Sequence, residues 1–224
     1  MERYETLYQV CHLNPPDFLP VDIKIVETLR DISIDIFEFS SIKIGGKDKN
    51  ITKYMKETIT QNGICYTYNM LNHQNLYNRG IPSYLKAPKD VELSNWSAFG
   101  YGHDEPFTYP HRVMGAGREN GVEMNFQIRK KDIDFACSDY AHSLRLTIHA
   151  PDEIPDTESK FYLIPLNMRT LISIEPKVMR TSDEMRHYKP KQRQCYFTGE
   201  RKLVHFKGYT QANCKHECFT SNFS

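Results

Sequence analysis

The spacing of apolar residues changes twice along this 224-residue chain, and that change constrains its fold more than any other feature. Residues 25–39 carry apolar side chains at intervals of three and four, which predicts an amphipathic helix with Asp22 as its N-cap. Alternation of isoleucine within residues 32–36 leaves a strand open for the second half of this segment. A second, short helix is predicted over residues 50–60. The chain therefore begins with a helical pattern.

The middle of the chain has the pattern of β-strands. Aromatic and β-branched residues dominate one segment, and apolar residues alternate with polar ones in others, as in half-buried strands. The predicted strands are residues 64–70, 122–128, 144–148, 161–164 and 171–174. Helical patterns return over residues 200–207 and 210–219. Helices, then strands, then helices indicate an α+β fold rather than a repeated βαβ unit.

Charge and hydropathy exclude several classes of function. The chain has 29 Lys and Arg residues against 28 Asp and Glu residues, so its formal net charge is +1. Such a balance gives no electrostatic attraction towards nucleic acid or an anionic membrane surface. The longest unbroken apolar run is residues 161–164, whereas a membrane-spanning helix needs about 20 apolar residues. We therefore expect no nucleic-acid partner, no transmembrane helix in this chain and no export signal of its own.

Residues that could support catalysis are not arranged for it. The chain has no phosphate-binding glycine loop, zinc-protease motif or serine-hydrolase elbow. His142 and His149 fall on either side of one predicted strand and cannot face one site. The acidic residues within 152–158 lie in a proline-broken loop, which does not hold carboxylates rigidly for acid–base work. We expect neither an enzyme nor a cofactor.

The chain has six cysteines, which could form either a zinc site or disulfides. They are Cys11, Cys65, Cys137, Cys195, Cys214 and Cys218. Cys214 and Cys218 share one face of the predicted C-terminal helix, and zinc could bind both together with Cys195 and His205. Structural zinc sites usually have two closely spaced ligand pairs, and that pattern is incomplete here. In an oxidising compartment these thiols would instead form disulfides with other segments, which is the interpretation we favour.

Three glycosylation sequons favour such a compartment. They begin at Asn50, Asn95 and Asn222 and lie in polar segments. An extracellular chain that has no export signal is expected to be a fragment of a longer protein.

Several ordered motifs resemble one known family. The C-terminal motif contains Arg193, Cys195, Glu200, Leu203, Phe206, Tyr209, Cys214, Glu217 and Cys218. Upstream lie a glycine–cysteine–tyrosine motif and a histidine–proline motif, with the residues Gly63, Cys65, Tyr66, Thr67, Asn69, His149, Pro151 and Pro155. Together with Gly117 and Gly121, these blocks closely resemble the extracellular signature of the degenerin/epithelial sodium channel family, and especially of its insect pickpocket branch.

The resemblance implies a subunit of a trimeric, amiloride-sensitive type of sodium channel in the plasma membrane. Its partners would be other subunits of the same family, in a homo- or heterotrimer, and sodium ions; no extracellular ligand is identified. The chain would be part of a hand-shaped ectodomain whose membrane helices are missing. Residues 1–62 would be a finger-like helical region, residues 63–190 a palm and β-ball sheet region with a loop-rich insertion at 72–121, and residues 191–224 the start of a helical thumb.

The same resemblance implies a set of disulfides. Cys195, Cys214 and Cys218 would bond to thumb cysteines beyond Ser224, and Cys65 could pair with Cys137. Two functions from other classes remain as alternatives: a poreless secreted or cell-surface binding module, and a zinc-binding module that uses the four ligands named above.

Overall fold

The computed structural model of the chain describes residues 6–7, 10, 23–81, 109–113, 115–133, 143–177, 181–197 and 199–221. These residues form three small antiparallel sheets and several short helices, which confirms a fold of mixed helices and strands. The candidate residues Cys11, Cys137, Asn95 and Asn222 lie outside the described residues, as does much of the predicted insertion.

Helix α1, Ile23–Ile32, confirms the first half of the predicted N-terminal helix. Its inner face buries Val26 and Leu29. The second half is neither helix nor strand, because local polar groups end the helix: the Ser33 hydroxyl donates to the Arg30 carbonyl at 2.9 Å, and Asp35 accepts the backbone N–H of Phe37 at 2.9 Å. Such side-chain bonds compete with a continuing helix, so the chain turns.

The first sheet has the order β2–β1–β5, with β1 at Ser41–Ile44, β2 at Lys47–Lys49 and β5 at Val122–Asn125. Strand β5 lies within a predicted strand, whereas β1 and β2 fall in a region predicted as helical. Gly45 and Gly46, with φ of +56° and +71°, make the two-residue turn between β1 and β2. A Gly-Gly pair is a hairpin signal, and it could have identified these strands.

The second sheet is a hairpin of β3, Met55–Thr60, and β4, Gly63–Tyr68. Strand β4 confirms the prediction for this segment. The predicted helix over residues 50–60 is wrong beyond helix α2, Ile51–Tyr54, because the chain then pairs along its whole length with β4, from Met55↔Tyr68 to Thr60↔Gly63. The predicted boundary at residues 62–63 thus lies in the turn of this hairpin.

The third sheet pairs β6, Ser143–Leu146, with β7, Tyr162–Pro165, and both lie where strands were predicted. Arg145 of β6 docks this hairpin onto the second one, since its Nη1 donates to Asn62 Oδ1 at 3.0 Å and to the Thr157 carbonyl at 3.1 Å. The strand predicted over residues 171–174 is not formed. That segment finds no pairing partner among the described strands, and its side chains are exposed.

The remaining helices are α3, His73–Leu76, α4, Pro190–Arg193, and α5, Gln211–Ser221. Helix α5 confirms the C-terminal prediction. The helix predicted over residues 200–207 is wrong: Phe206 instead forms an antiparallel bridge with Tyr77. None of the helices in the described ranges is long and apolar enough to cross a membrane.

Candidate functional site

Three segments that are distant in sequence meet around one small core, which we call the junction. The core consists of Met70, Leu76, Leu203 and Phe206. Around it lie the residues that follow β4, the turn at 150–153 and helix α5. Backbone hydrogen bonds join the segments: Leu71 N–H donates to the Pro151 carbonyl at 2.8 Å, and Lys207 N–H donates to the Leu76 carbonyl at 3.0 Å.

His149 connects strand β4 to the turn. Its Nε2 lies 3.1 Å from Thr67 Oγ1, and its Nδ1 lies 2.8 Å from the Ala150 carbonyl. A carbonyl can only accept, so this network assigns the proton to Nδ1 and makes Nε2 the acceptor from the threonine hydroxyl. Burial lowers the pKa of His149, although the nearby Glu153 carboxylate partly opposes that effect. The imidazole therefore serves as a neutral bridge at neutral pH.

Asn213 connects the same turn to helix α5. Its side chain is fully buried, and its Nδ2 donates to the Asp152 carbonyl at 2.7 Å and to the Gly208 carbonyl at 3.3 Å. A Cβ at Gly208 would lie 3.3 Å from Asp152 Oδ2, so a larger residue there would require the Asp152 carboxylate to shift slightly. Burial also raises the pKa of the Asp152 carboxyl. The turn is thus held by β4 on one side and by α5 on the other.

Two further side chains hold residues 203–206 in place. Glu217 of α5 accepts the backbone N–H of His205 at 2.8 Å. Asn78 Nδ2 donates to the carbonyls of Leu203 at 3.0 Å, Val204 at 2.8 Å and Phe206 at 3.2 Å. These bonds replace those of the helix that periodicity predicted here. Asn78 was missed by the sequence analysis, and no local signal distinguishes it from other asparagines.

Arg193 and Glu200 shape a second cluster around Cys195. The Arg193 side chain is almost completely buried and forms an ion pair with Glu200, which holds the pKa of that carboxyl below its usual range. The guanidinium also donates to the carbonyls of Cys195 at 3.0 Å and Tyr188 at 2.9 Å. Glu200 in turn accepts the backbone N–H of Phe197 at 2.7 Å. The pair therefore closes the loop that presents Cys195.

Asn69 fixes the end of strand β4. Its backbone has a φ of 69°, and its side chain forms reciprocal hydrogen bonds with the backbone of His111. The Tyr109 hydroxyl donates to the Met70 carbonyl in the same region. Lys56 of β3 donates from Nζ to that hydroxyl at 2.9 Å. Asn69 thus joins residues 109–111 to the hairpin.

The other motif residues have structural positions close by. Gly63, the first residue of β4, adopts a φ of +88° directly after the hairpin turn. The Tyr66 hydroxyl donates to the Ile34 carbonyl at 2.7 Å, which ties β4 to the end of α1. Pro155 is buried beyond the turn, and the Tyr209 ring packs against the junction core. Most of the family-signature residues therefore lie at the junction, at the Arg193 cluster or in the β3–β4 hairpin.

The four ligands named for the alternative zinc site are not grouped together in the described part of the chain. Within the described ranges, no three His, Cys, Asp or Glu side chains are grouped as metal ligands, although Cys195, His205, Cys214 and Cys218 all belong to those ranges. The Nδ1 of His205 instead lies 3.4 Å from Glu217 Oε2. Cys65, Cys195 and Cys214 form no disulfide with any described residue, and the pairing of Cys65 with Cys137 stays a prediction.

Comparison with known proteins identifies the family. A family model described as amiloride-sensitive sodium channel matches residues 21–224. Pickpocket protein 28 of Drosophila melanogaster is 24% identical over 182 residues, which cover 78% of this chain and 30% of the relative. Sodium channel protein Nach of Drosophila melanogaster is 22% identical over 223 residues, which cover 99% of this chain and 37% of the relative. No solved structure matches the chain.

The chain spans about a third of the length of these curated relatives. The family match nevertheless covers far more than half of the chain itself, and it includes every described segment of the junction. The family consists of ion channels rather than enzymes. This chain therefore belongs to the amiloride-sensitive sodium channel family, also called the degenerin/epithelial sodium channel family, as its sequence motifs indicated, and its relatives include insect pickpocket proteins.

Proposed function

We propose that this chain is part of the extracellular domain of a sodium channel subunit in the plasma membrane, and that the junction transmits gating movements towards the pore. Its relation to sodium channel proteins supports the first half of the proposal. The second half rests on one observation: three distant segments that carry the family motifs are joined at the junction by hydrogen bonds in which His149 and Glu217 accept and Asn213 donates.

Helix α5 is suited to transmit movement as a rigid body. Asn213 and Glu217 lie four residues apart, and they attach successive turns of the helix to the 150–153 turn and to His205. A helix held on two turns cannot rotate independently of these contacts. Disulfides from Cys214 and Cys218 to thumb segments beyond this chain would add a second pair of attachments one turn apart. Displacement of the turn would then move the helix as a lever.

Assembly with other subunits, in a homo- or heterotrimer, is part of the same proposal. Residues 168–174 expose several large apolar side chains, including Met168 at 73%, Leu171 at 75% and Ile174 at 65%. Several large exposed apolar side chains in one short segment favour a contact with another protein segment. This surface would be covered in the complete channel, by the rest of the subunit or by a neighbouring one.

The test is single-channel recording of the full-length protein that contains this segment, with Glu217→Gln. The glutamine keeps a carbonyl oxygen for the His205 N–H and removes only the charge, so folding should be preserved. The matched control is Lys215→Gln, which also removes one charge but at an exposed position of the same helix. We expect the glutamine variant to change the open probability without changing unitary conductance. Unchanged gating at normal surface expression would refute the role of the junction, and absence of a sodium current in the parent would refute the channel function.

A further inference from the structure

The sequon at Asn50 begins on the surface, between strand β2 and helix α2. Asn50 follows directly after β2, whose residues Lys47–Lys49 are all exposed, and it precedes the short helix α2. The next residue, Ile51, is buried in a core with Ile42 and Met55. Insertion of Ile51 into that core fixes the backbone, so the exposed Asn50 side chain is held on the outside of the fold.

The two atoms of the Asn50 amide have different environments. Oδ1 accepts the backbone N–H of Thr52 at 3.0 Å and the Thr52 hydroxyl at 2.7 Å, and thereby caps α2. Nδ2 donates no hydrogen bond to any residue that the structure describes. An N-linked sugar replaces one hydrogen on Nδ2 and leaves Oδ1 as an acceptor. Glycosylation is therefore compatible with the cap.

In two other asparagines the amide nitrogen, rather than the oxygen, makes the hydrogen bonds within the fold. In Asn78 and Asn213 the Nδ2 atom is the donor that holds backbone carbonyls at the junction. A sugar on either nitrogen would remove those bonds and would have to fit into packed surroundings. Asn50 has the reverse arrangement: its oxygen accepts hydrogen bonds within the fold, and its nitrogen donates none to a described residue on an exposed side chain.

We propose that Asn50 carries an N-linked glycan that shields the open edge of the β2–β1–β5 sheet. This inference rests on the extracellular placement proposed above. In the reaction, Nδ2 loses one proton and bonds to the anomeric carbon of a lipid-linked oligosaccharide, and the lipid pyrophosphate leaves. Strand β2 is an edge of its sheet among the strands that the structure describes, so its outward N–H and C=O groups are open to pairing with another chain. The charges of Lys47–Lys49 already disfavour such pairing, and a sugar on the following residue adds a steric barrier.

The experiment expresses the full-length protein in insect cells and compares its mobility before and after treatment with an N-glycosidase. Asn50→Gln and Thr52→Ala should each remove one glycan. Thr52→Ser keeps both the sequon and the two hydrogen bonds, so it should retain the glycan. Asn125→Gln changes an exposed asparagine outside any sequon and should also retain it. On native gels, Asn50→Gln should show more self-association than Thr52→Ser.

The outcomes separate the two proposals. If Asn50→Gln migrates like the parent while Asn95→Gln or Asn222→Gln migrates faster by the mass of one glycan, the assignment of Asn50 is overturned and the extracellular placement stands. If the glycosidase shifts neither the parent nor any variant, both proposals are overturned. If the glycan is present but its loss leaves self-association unchanged, the shielding role is overturned.

Discussion

Replacement of Asn213 by alanine tests the junction most directly, because one side chain joins two segments there. The substitution removes hydrogen bonds of 2.7 and 3.3 Å to the carbonyls of Asp152 and Gly208. A buried hydrogen bond contributes about 1 kcal/mol, and a carbonyl left without its partner costs about a further 1–3 kcal/mol. The mutation also removes the buried Oδ1, which has no hydrogen-bond partner in the described part of the chain, and this recovers part of the cost. We expect a net loss of about 2 kcal/mol.

Hydrogen exchange measures this loss where it occurs. At about 1.4 kcal/mol per factor of ten, 2 kcal/mol corresponds to amides that exchange about 30-fold faster. The amides to follow in the full-length protein are Leu71 and Cys214, which donate to Pro151 and Thr210. Asn125→Ala is the matched control, because Asn125 is exposed on β5. If Asn213→Ala leaves the exchange rates of the Leu71 and Cys214 amides within about threefold of the parent, the segments of the junction do not stabilise one another.

Three further predictions concern other parts of the structure. Because burial lowers the pKa of His149 in the folded state, the unfolded chain binds more protons below about pH 6.5. The melting temperature should therefore fall as the pH drops from about 6.5, and His149→Gln should flatten this dependence; a parallel profile in both proteins would contradict the assignment. Arg193→Lys keeps the charge but loses the planar fork that donates to Cys195 and Tyr188, so it should lower the melting temperature, whereas Arg169→Lys, with an exposed side chain, should not. Ile172→Asn combined with Ile174→Thr creates a sequon on the exposed apolar surface and should block subunit assembly without preventing secretion; intact oligomers that carry this glycan would show that the surface is not a subunit contact.

Elements whose local pattern agrees with their environment could be predicted from sequence. Strand β4 is rich in aromatic and β-branched residues, and its partner strand offers a half-buried surface that suits them. Helix α5 begins where Thr210 accepts the backbone N–H of Asn213 at 3.1 Å, a standard N-terminal cap that the sequence displays. In both elements the local preference and the tertiary contacts favour the same structure.

Residues 50–60 show how tertiary contacts override a local preference. Asn50 does cap a helix, and the following residues suit one, but the helix ends at Tyr54. From Met55 onward the chain pairs with β4, and Met55 and Thr58 become buried. A short isolated helix is only marginally stable, so pairing with a neighbouring strand decides the outcome. The helix predicted over residues 200–207 does not form for a similar reason. The distant Asn78 donates hydrogen bonds to the backbone carbonyls of this segment, and the local spacing of apolar residues gives no sign of that contact.

The order of amino acids was sufficient to identify a fold of mixed helices and strands and the family. The sequence alone did not predict that Thr67, His149 and Asn213 would join strand β4, the turn at 150–153 and helix α5. Side-chain amides and an imidazole there satisfy backbone and hydroxyl groups that lie far away along the chain. Such groups need a partner wherever they are buried, but only the closed tertiary structure decides which distant residue provides it.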